Sequence, residues 1–354
     1  MFRAPNFCAG IKPAFVILAV MLVCSCSKKT GARTEQILGT VCTVDAFENG
    51  TKDLYGELFS RLKEIDTRFS ANSASSDISR INSAAGKKAV AVHDDVYFVI
   101  ESAVKYASLS GGLFDPTIGP LVKLWGIGTG HEKVPSQNEI ETAVAKVDYK
   151  KIRLNKNEKK DSSTVMLAEE GMALDLGGIA KGYAADELAR ILSEHNIPGA
   201  IIDLGGNIYA FGNKSDYSPW RIGIKNPDRT SDIPALLYET KTPATVVTSG
   251  VYERFFIKND VRYHHILNPR TGRPSQSGIL SSTIIASSSM AADALSTISF
   301  LMGQNEFFRR MGTSSVEFEG VIFILPDNRA VASRSLKKKL SAYDSEFRIS
   351  FADK

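Results

Sequence analysis

The 354-residue chain carries 43 Lys and Arg against 39 Asp and Glu, a formal net charge of +4. That near-neutral balance excludes the broad basic footprint of a nucleic-acid binder, and the length allows one large core or two lobes. Once an N-terminal export signal is set aside, the four cysteines (Cys8, Cys24, Cys26 and Cys42) leave only Cys42 in the folded part, which excludes a disulfide framework and disfavours zinc or iron–sulfur chemistry.

The N-terminus reads as such a signal. Arg3 and Lys12 supply the positive start, and the apolar run over residues 13–23 is too short to span a bilayer comfortably. It ends in Val23-Cys24-Ser25-Cys26, an aliphatic residue and two small ones before a cysteine, which resembles a lipobox. Residues 1–25 are therefore expected to be removed and Cys26 to carry lipid. Cys24 is the alternative acceptor, and a plain secreted or membrane-anchored protein is the competing reading. Losing Arg3 and Lys12 takes the net charge from +4 to +2. Residues 26–35 read as a polar tether and 36–354 as the folded domain. The expected location is a bacterial membrane surface facing the periplasm or the cell exterior.

Residues 36–47 alternate well enough for a strand, and residues 54–69 have helical spacing through Leu54, Leu58, Leu62, Ile65 and Phe69. Residues 72–76 form a polar loop, and 94–110 a second amphipathic helix closed by Gly111-Gly112. Residues 129–163, rich in Lys, Asn and Glu, read as a solvated excursion with a short helix and strand. Met172-Ala-Leu174 reads as a buried strand and 180–192 as a helix. Beyond residue 200, strands alternate with turn signals at 200–203, 208–211, 220–224, 245–249, 252–257 and 282–286. A last helix over 290–302 precedes a strand pair around 320–326 and 330–334. Helices and hairpins interleave with no βαβ beat. The fold class is α+β, a single catalytic unit of two lobes whose mixed or antiparallel sheets are flanked by helices.

Five segments are candidates to carry chemistry. In Asp175-Leu-Gly-Gly-Ile-Ala-Lys181-Gly182, a glycine turn opens a helix. Backbone N–H groups at a helix start, with Lys181 beside them, suit a diphosphate, although such turns serve plain packing about as often. Asp293, Ser296 and Thr297 share one helix face, an oxygen-only set that suits Mg²⁺. The bland alternative is an aspartate complementing the helix dipole, with hydroxyls bonded back to the helix. His264 and His265 are adjacent in a strand, so they point to opposite faces and at most one enters a site, where a neutral imidazole serves as a general base. Trp125, in a Gly- and Pro-rich stretch, is either a platform for a flat ring or a core residue. The segment Ser249-Gly-Val-Tyr252-Glu253-Arg254 is either a polar site wall or a hairpin start.

These segments stand in order with Leu38-Gly39-Thr40, Ser70, Ser76-Asp-Ile-Ser-Arg-Ile-Asn82, Phe114-Asp-Pro-Thr117, Leu124-Trp-Gly126, Asp203-Leu-Gly-Gly-Asn207 and His265-Ile-Leu-Asn-Pro-Arg-Thr-Gly272. The set covers nearly the whole mature chain and resembles the ApbE family of flavin transferases. The resemblance implies an ApbE-like, T-fold-related domain and an exported, Mg²⁺-dependent enzyme that splits FAD, releases AMP and places FMN on a Thr or Ser hydroxyl of an acceptor protein, for example a redox-pump subunit. It implies that Asp293 and Thr297 hold Mg²⁺ with help from Ser296 and the Gly178 carbonyl. It implies FAD contacts at Leu38, Asn72, Leu124, Trp125, Gly126, Asp175, Lys181 and Ile266, and catalytic roles for His265 and Asp293. Where many relatives carry Tyr, two residues after Ser70, this chain has Asn72, a small amide that leaves space for water or a second metal ion. An FAD pyrophosphatase and a non-catalytic FAD-binding lipoprotein are the competing functions.

Overall fold

The computed structural model describes residues 30–159, 161–227, 233–311 and 316–353. The signal over residues 1–25 and the lipidation site Cys26 lie outside them. Among the described residues, no helix is long and apolar enough to cross a membrane.

The frame is a nine-stranded sheet whose spatial order follows the chain: Arg33–Ile37, Thr40–Asp45, Gly199–Leu204, Asn207–Gly212, Ala244–Gly250, Ser281–Ala286, Gly320–Leu325, Arg329–Ser333 and Arg348–Ala352. Every neighbouring pair is antiparallel except the last, which is parallel. Helices and smaller sheets are inserted between the strands, which gives the α+β class expected from the sequence.

Both faces of the sheet are covered, so its central strands are buried on both sides rather than at alternate residues. Ser281–Ala286 is buried at every position. Val247, Ile284, Val321 and Phe323 face a core built with the helices Lys52–Phe69, Ala180–Glu194 and Ser289–Met302. Their strand neighbours Val246, Ile285, Ile322 and Ile324 face a second core closed by the small sheet of Trp220–Lys225, Pro234–Thr240 and Leu340–Ala342. A third, smaller core gathers Leu121, Trp125, Ile127, Ile140 and Leu267.

Several local expectations change. Residues 36–47 are not one strand but most of a hairpin, turned at Leu38 and Gly39 with φ of 56° and 67°. This is the left-handed pair that a two-residue turn between twisted strands requires. The tether ends earlier than residue 35, because Arg33–Ile37 is already an edge strand. Met172 and Leu174 are buried, but the run makes only an isolated bridge, Ile118 to Ala173. The Asn82 side chain satisfies its backbone instead, accepting from Leu174 N at 2.7 Å and donating to Leu174 O at 3.0 Å. The Gly- and Pro-rich stretch before Trp125 contains a helix, Gly119–Trp125, with Pro120 in its first turn where no N–H is needed. Residues 252–254 are turn, and the strand begins at Phe255. The helix Ser289–Met302 is followed by another, Gln304–Met311. Cys42 is a free, buried thiol, pushed up to about 11 chiefly by burial, and so inert.

Candidate active site

A cavity of about 470 Å³ opens between the helix-covered main core and the smaller core around Trp125. One end is the junction of two helices. Gly182 lies in the first turn of Ala180–Glu194 and abuts the first turns of Ser289–Met302. A Cβ there would stand 2.3 Å from Ser289 O and 2.7 Å from Asp293 Cβ. The close approach lets Gly182 N donate to Asp293 Oδ2 at 2.9 Å. Asp293 Oδ1 stands 3.9 Å from Lys181 Nζ, and Lys181 also donates to Gly177 O at 3.3 Å. Burial raises the Asp293 carboxyl above the usual carboxylate range, and Lys181 opposes the rise.

Asp293 is not a dipole-compensating residue. It stands beyond the first turn of its helix, whose start is served by Asp186, which accepts from Ser289 N at 2.7 Å and from Met290 N at 3.0 Å. Asp293 and Thr297 line the cavity, whereas Ser296 does not. The Ser296 hydroxyl donates to Asp293 O at 2.9 Å and meets Ser249 Oγ at 2.8 Å, so it stands behind the wall and orients Ser249. Gly178 reaches the same place. It takes no positive φ, and its role is closeness: a Cβ there would lie 3.1 Å from Phe114 Cε2 and 3.3 Å from Thr297 Oγ1. The helix start is less open to anions than its sequence suggests. Ile179 N and Ala180 N both turn back onto Leu176 O, and Gly182 N is taken by Asp293.

His265 and Arg254 form another part of the wall. His265 Nδ1 lies 3.1 Å from Arg254 O, and a carbonyl can only accept, so the Nδ1 proton is fixed there and Nε2 keeps its lone pair. Burial, followed by the Arg254 charge, pushes the imidazole down to about 3. It is therefore neutral at physiological pH. His264 points the other way, as strand alternation requires. It is buried, lies 3.0 Å from Ser275 O and edge-on to Phe300, and accepts from Ile266 N.

Leu38 lines the cavity from its left-handed turn, a conformation that costs a non-glycine residue about 1 kcal/mol. Asp66 pins the turn by accepting a backbone bond from Leu38. Asn72 stands exposed at the rim with its N–H on Ser70 Oγ, and Asp175 and Ile266 also line the space. Asp175 Oδ1 accepts from Gly177 N at 2.8 Å, bracing the turn before Lys181. Trp125 is chiefly a core residue: fully buried, tilted against Tyr263 and donating from Nε1 to Gly272 O at 2.7 Å, it shows the cavity only part of its surface. Its neighbours Leu124 and Gly126 are not in the wall, where Val122 and Ile127 stand instead.

Sequence reasoning missed Asp66 and Asn207 as cavity residues. Asn207 is buried and bonded through Oδ1 to Ser289 Oγ at 2.7 Å. Asp66 carries no local pattern, and Asn207 closes the Asp203-Leu-Gly-Gly-Asn207 segment without the segment showing where its side chain goes, because its partner comes from another element. The segment Ser249–Arg254 resolves as a polar wall, with Ser249, Glu253 and Arg254 all lining the cavity.

The donor set fits a hard cation of modest appetite. Among the described residues no three His, Cys, Asp or Glu side chains cluster to hold a metal. One carboxylate oxygen (Asp293 Oδ1), the Thr297 hydroxyl and the nearby Gly178 backbone are what Mg²⁺ accepts when water and phosphate complete its shell.

Comparison with known proteins places the chain in a family. A family model described as the ApbE family matches residues 38–318. An FAD:protein FMN transferase of Treponema pallidum is 36% identical over 331 residues, covering 89% of this chain and 90% of that protein. One from Klebsiella pneumoniae is 33% identical, covering 84% of this chain and 90% of the relative. Among solved structures, an ApbE protein from Thermotoga maritima superposes with a TM-score of 0.73 at 34% identity, covering 83% of this chain and 94% of that one. The flavin transferase ApbE from Vibrio cholerae gives 0.75 at 28%, covering 87% and 98%.

Proposed function

The chain belongs to the ApbE family, and on that premise we propose that it is an Mg²⁺-dependent FAD:protein FMN transferase that releases AMP. The observation that carries the reading is that one cavity holds a neutral imidazole with a free Nε2 together with a Lys181, Asp293 and Thr297 cluster suited to a diphosphate and its cation. The relatives named above act on FAD and protein, which fits the same chemistry.

In the proposed reaction, a Ser or Thr hydroxyl of the acceptor attacks the FMN-side phosphorus of FAD. A new P–O bond forms to the acceptor, the bridging P–O bond breaks, and AMP leaves with the electron pair. His265 Nε2 receives the hydroxyl proton. Its low basicity comes first from burial and then from the charges of Arg254 and Lys181, and an anionic diphosphate would offset the part that those charges contribute. Lys181 binds the diphosphate as a point charge. Asp293 Oδ1, Thr297 and the Gly178 carbonyl would hold Mg²⁺, which supplies charge neutralisation at the diphosphate.

The deciding experiment mixes protein, FAD and Mg²⁺ with membrane proteins of the native host. AMP with flavin covalently attached to protein is the expected result. Intact bound FAD would mean a carrier, and AMP with free FMN alone would mean a hydrolase. Hydrolysis is the second reading, favoured by the small, exposed Asn72 at the rim, which leaves the mouth open to water.

We also propose that the protein acts at a membrane surface, exported and tethered through lipid on Cys26, which the Val23-Cys24-Ser25-Cys26 motif supports. Mass spectrometry of the N-terminal peptide from the native host tests this. An unmodified Cys26 would refute the anchor.

A further inference from the structure

The hairpin of Phe255–Lys258 and Val261–His264 stands apart from every other sheet as a two-stranded unit. Its turn residues Asn259 and Asp260 are both left-handed, with φ of 50° and 58°. That two-residue turn, together with the His265 N bond to Arg254 O at 3.0 Å, fixes the ladder. Residue pairs 254/265, 256/263 and 258/261 exchange hydrogen bonds, so the backbone N–H and C=O of Phe255 and Ile257 point outward. No third strand takes them among the described residues.

The same hairpin concentrates exposed apolar surface. Nine large apolar side chains are exposed among the described residues, and three of them sit on these two four-residue strands: Phe255 at 39%, Ile257 at 61% and Val261 at 50%. Phe255 and Ile257 alternate onto one face. The inner face is already used, with Phe256 and Tyr263 stacked on each other and Tyr263 against Trp125. The foot of the hairpin is Arg254 and His265, both in the cavity wall. An unpaired, apolar strand edge thus runs to the imidazole.

We propose that the outer edge of Phe255–Lys258 docks the acceptor polypeptide, which adds there as an extended strand and so carries its Ser or Thr hydroxyl to His265. The inference rests on the transferase reading and names how that reaction recognises its protein partner. A free backbone edge selects for peptide, because only another strand supplies N–H and C=O groups in register. A lipid surface or a small molecule has no use for that ladder. Recognition through main chain also suits a site that must admit a segment unfolded enough to enter a cavity. Apolar alternate side chains of the acceptor would then rest on Phe255 and Ile257.

The test separates acceptor use from FAD chemistry. Phe255→Asp and Ile257→Asp alter exposed side chains that touch neither His265 nor the Asp293 cluster, so both variants should fold, bind FAD and release FMN to water at the wild-type rate. Each is returned to a native host lacking this gene, and protein-bound flavin is read by in-gel fluorescence. Wild type should restore the flavinylated bands, while each variant restores less than a tenth. Ile257→Pro, which removes one outward N–H, should behave likewise. Full restoration by all three overturns the docking inference. A shift from dimer to monomer by sedimentation in the aspartate variants would assign the edge to a second copy of this chain, and loss of vesicle binding would assign it to the membrane. Either also overturns it. If wild type itself restores no flavinylated protein, the transferase reading fails first.

Discussion

Gly182 N donates to Asp293 Oδ2 across 2.9 Å, joining the helix that carries Lys181 to the helix that carries the only carboxylate of the proposed cation site. The bond exists because residue 182 has no side chain. A Cβ there would meet Ser289 O at 2.3 Å and Met290 Cα at 2.6 Å, backbone atoms that cannot rotate away. Gly182→Ala should therefore destabilise the fold by about 2–3 kcal/mol and also lower FAD turnover, since the helices separate and take Asp293 with them. Urea unfolding and AMP release measure the two effects. Wild-type values in both would show that the contact is slack.

Asp293→Asn and Asp293→Ala should differ in stability but not in chemistry. Asparagine keeps an oxygen for Gly182 N and retains the fold, whereas alanine leaves that buried N–H without a partner, at about 1–3 kcal/mol. Both should lose FAD cleavage by more than about a hundredfold, because the charge facing Lys181 and the cation is gone. Calorimetry should also show that wild type binds Mg²⁺ weakly alone and far more tightly with FAD present, since one carboxylate is too little without phosphate oxygens. Near-normal turnover of Asp293→Asn at limiting Mg²⁺ would end the assignment.

The two histidines should separate cleanly. His265→Ala is expected to cut FMN transfer by about 10²–10⁴ while FAD affinity stays within twofold, as removal of a base requires. His264→Ala should instead cost about 2–4 kcal/mol of stability, because a buried ring and its contacts to Ser275, Ile266 and Phe300 vanish. Alternation alone suggests a mild effect for His264. Its buried position says otherwise.

His265 also sets a pH signature. Its native value of about 3 lies below the ordinary 6.5, so between these limits the unfolded chain binds a proton that the native chain refuses. The native state therefore keeps its full advantage from this group above pH 6.5 and loses it as pH falls toward 3. His265→Asn, which can still donate to Arg254 O, removes that loss. Its melting temperature should rise relative to wild type as pH drops from 7 to 5. A constant difference across that range would mean that the imidazole is not held neutral.

How much of this was legible in the chain depends on distance along it. The helices at 54–69, 94–110, 180–192 and 290–302 announce themselves by spacing, and the structure keeps them within a few residues. The Leu38-Gly39 hairpin did not, because its first turn residue is leucine rather than Asn, Asp or Gly, and the turn is held by Asp66 from the helix Lys52–Phe69. The pairing of Asn82 with Leu174 is a contact across 92 residues that mimics a strand partner, so an apolar run reads as a strand it does not form. Ser296 illustrates the limit of face arithmetic. It shares a helix side with Asp293 and Thr297, yet a quarter-turn decides that it meets Ser249 instead of the cavity.

Asn72 offers the sharpest test of what the cavity does with its phosphoryl group. The residue is exposed at the rim, its N–H bonds to Ser70 Oγ, and among the described residues no hydrogen bond ties its side chain down. Water can therefore reach the mouth beside it. Wild type should release free FMN from FAD at a measurable rate with no acceptor present. Asn72→Tyr should cover the opening with a ring that adds stacking area, slowing hydrolysis at least about tenfold, worth roughly 1.4 kcal/mol in the barrier, while FAD stays bound. The measurement is FMN release by both proteins at equal FAD and Mg²⁺, with FAD affinity determined separately. Weaker FAD binding in the variant would mean that the ring clashes rather than covers. Equal release with unchanged affinity would mean that Asn72 merely faces solvent and does not select between water and a protein hydroxyl.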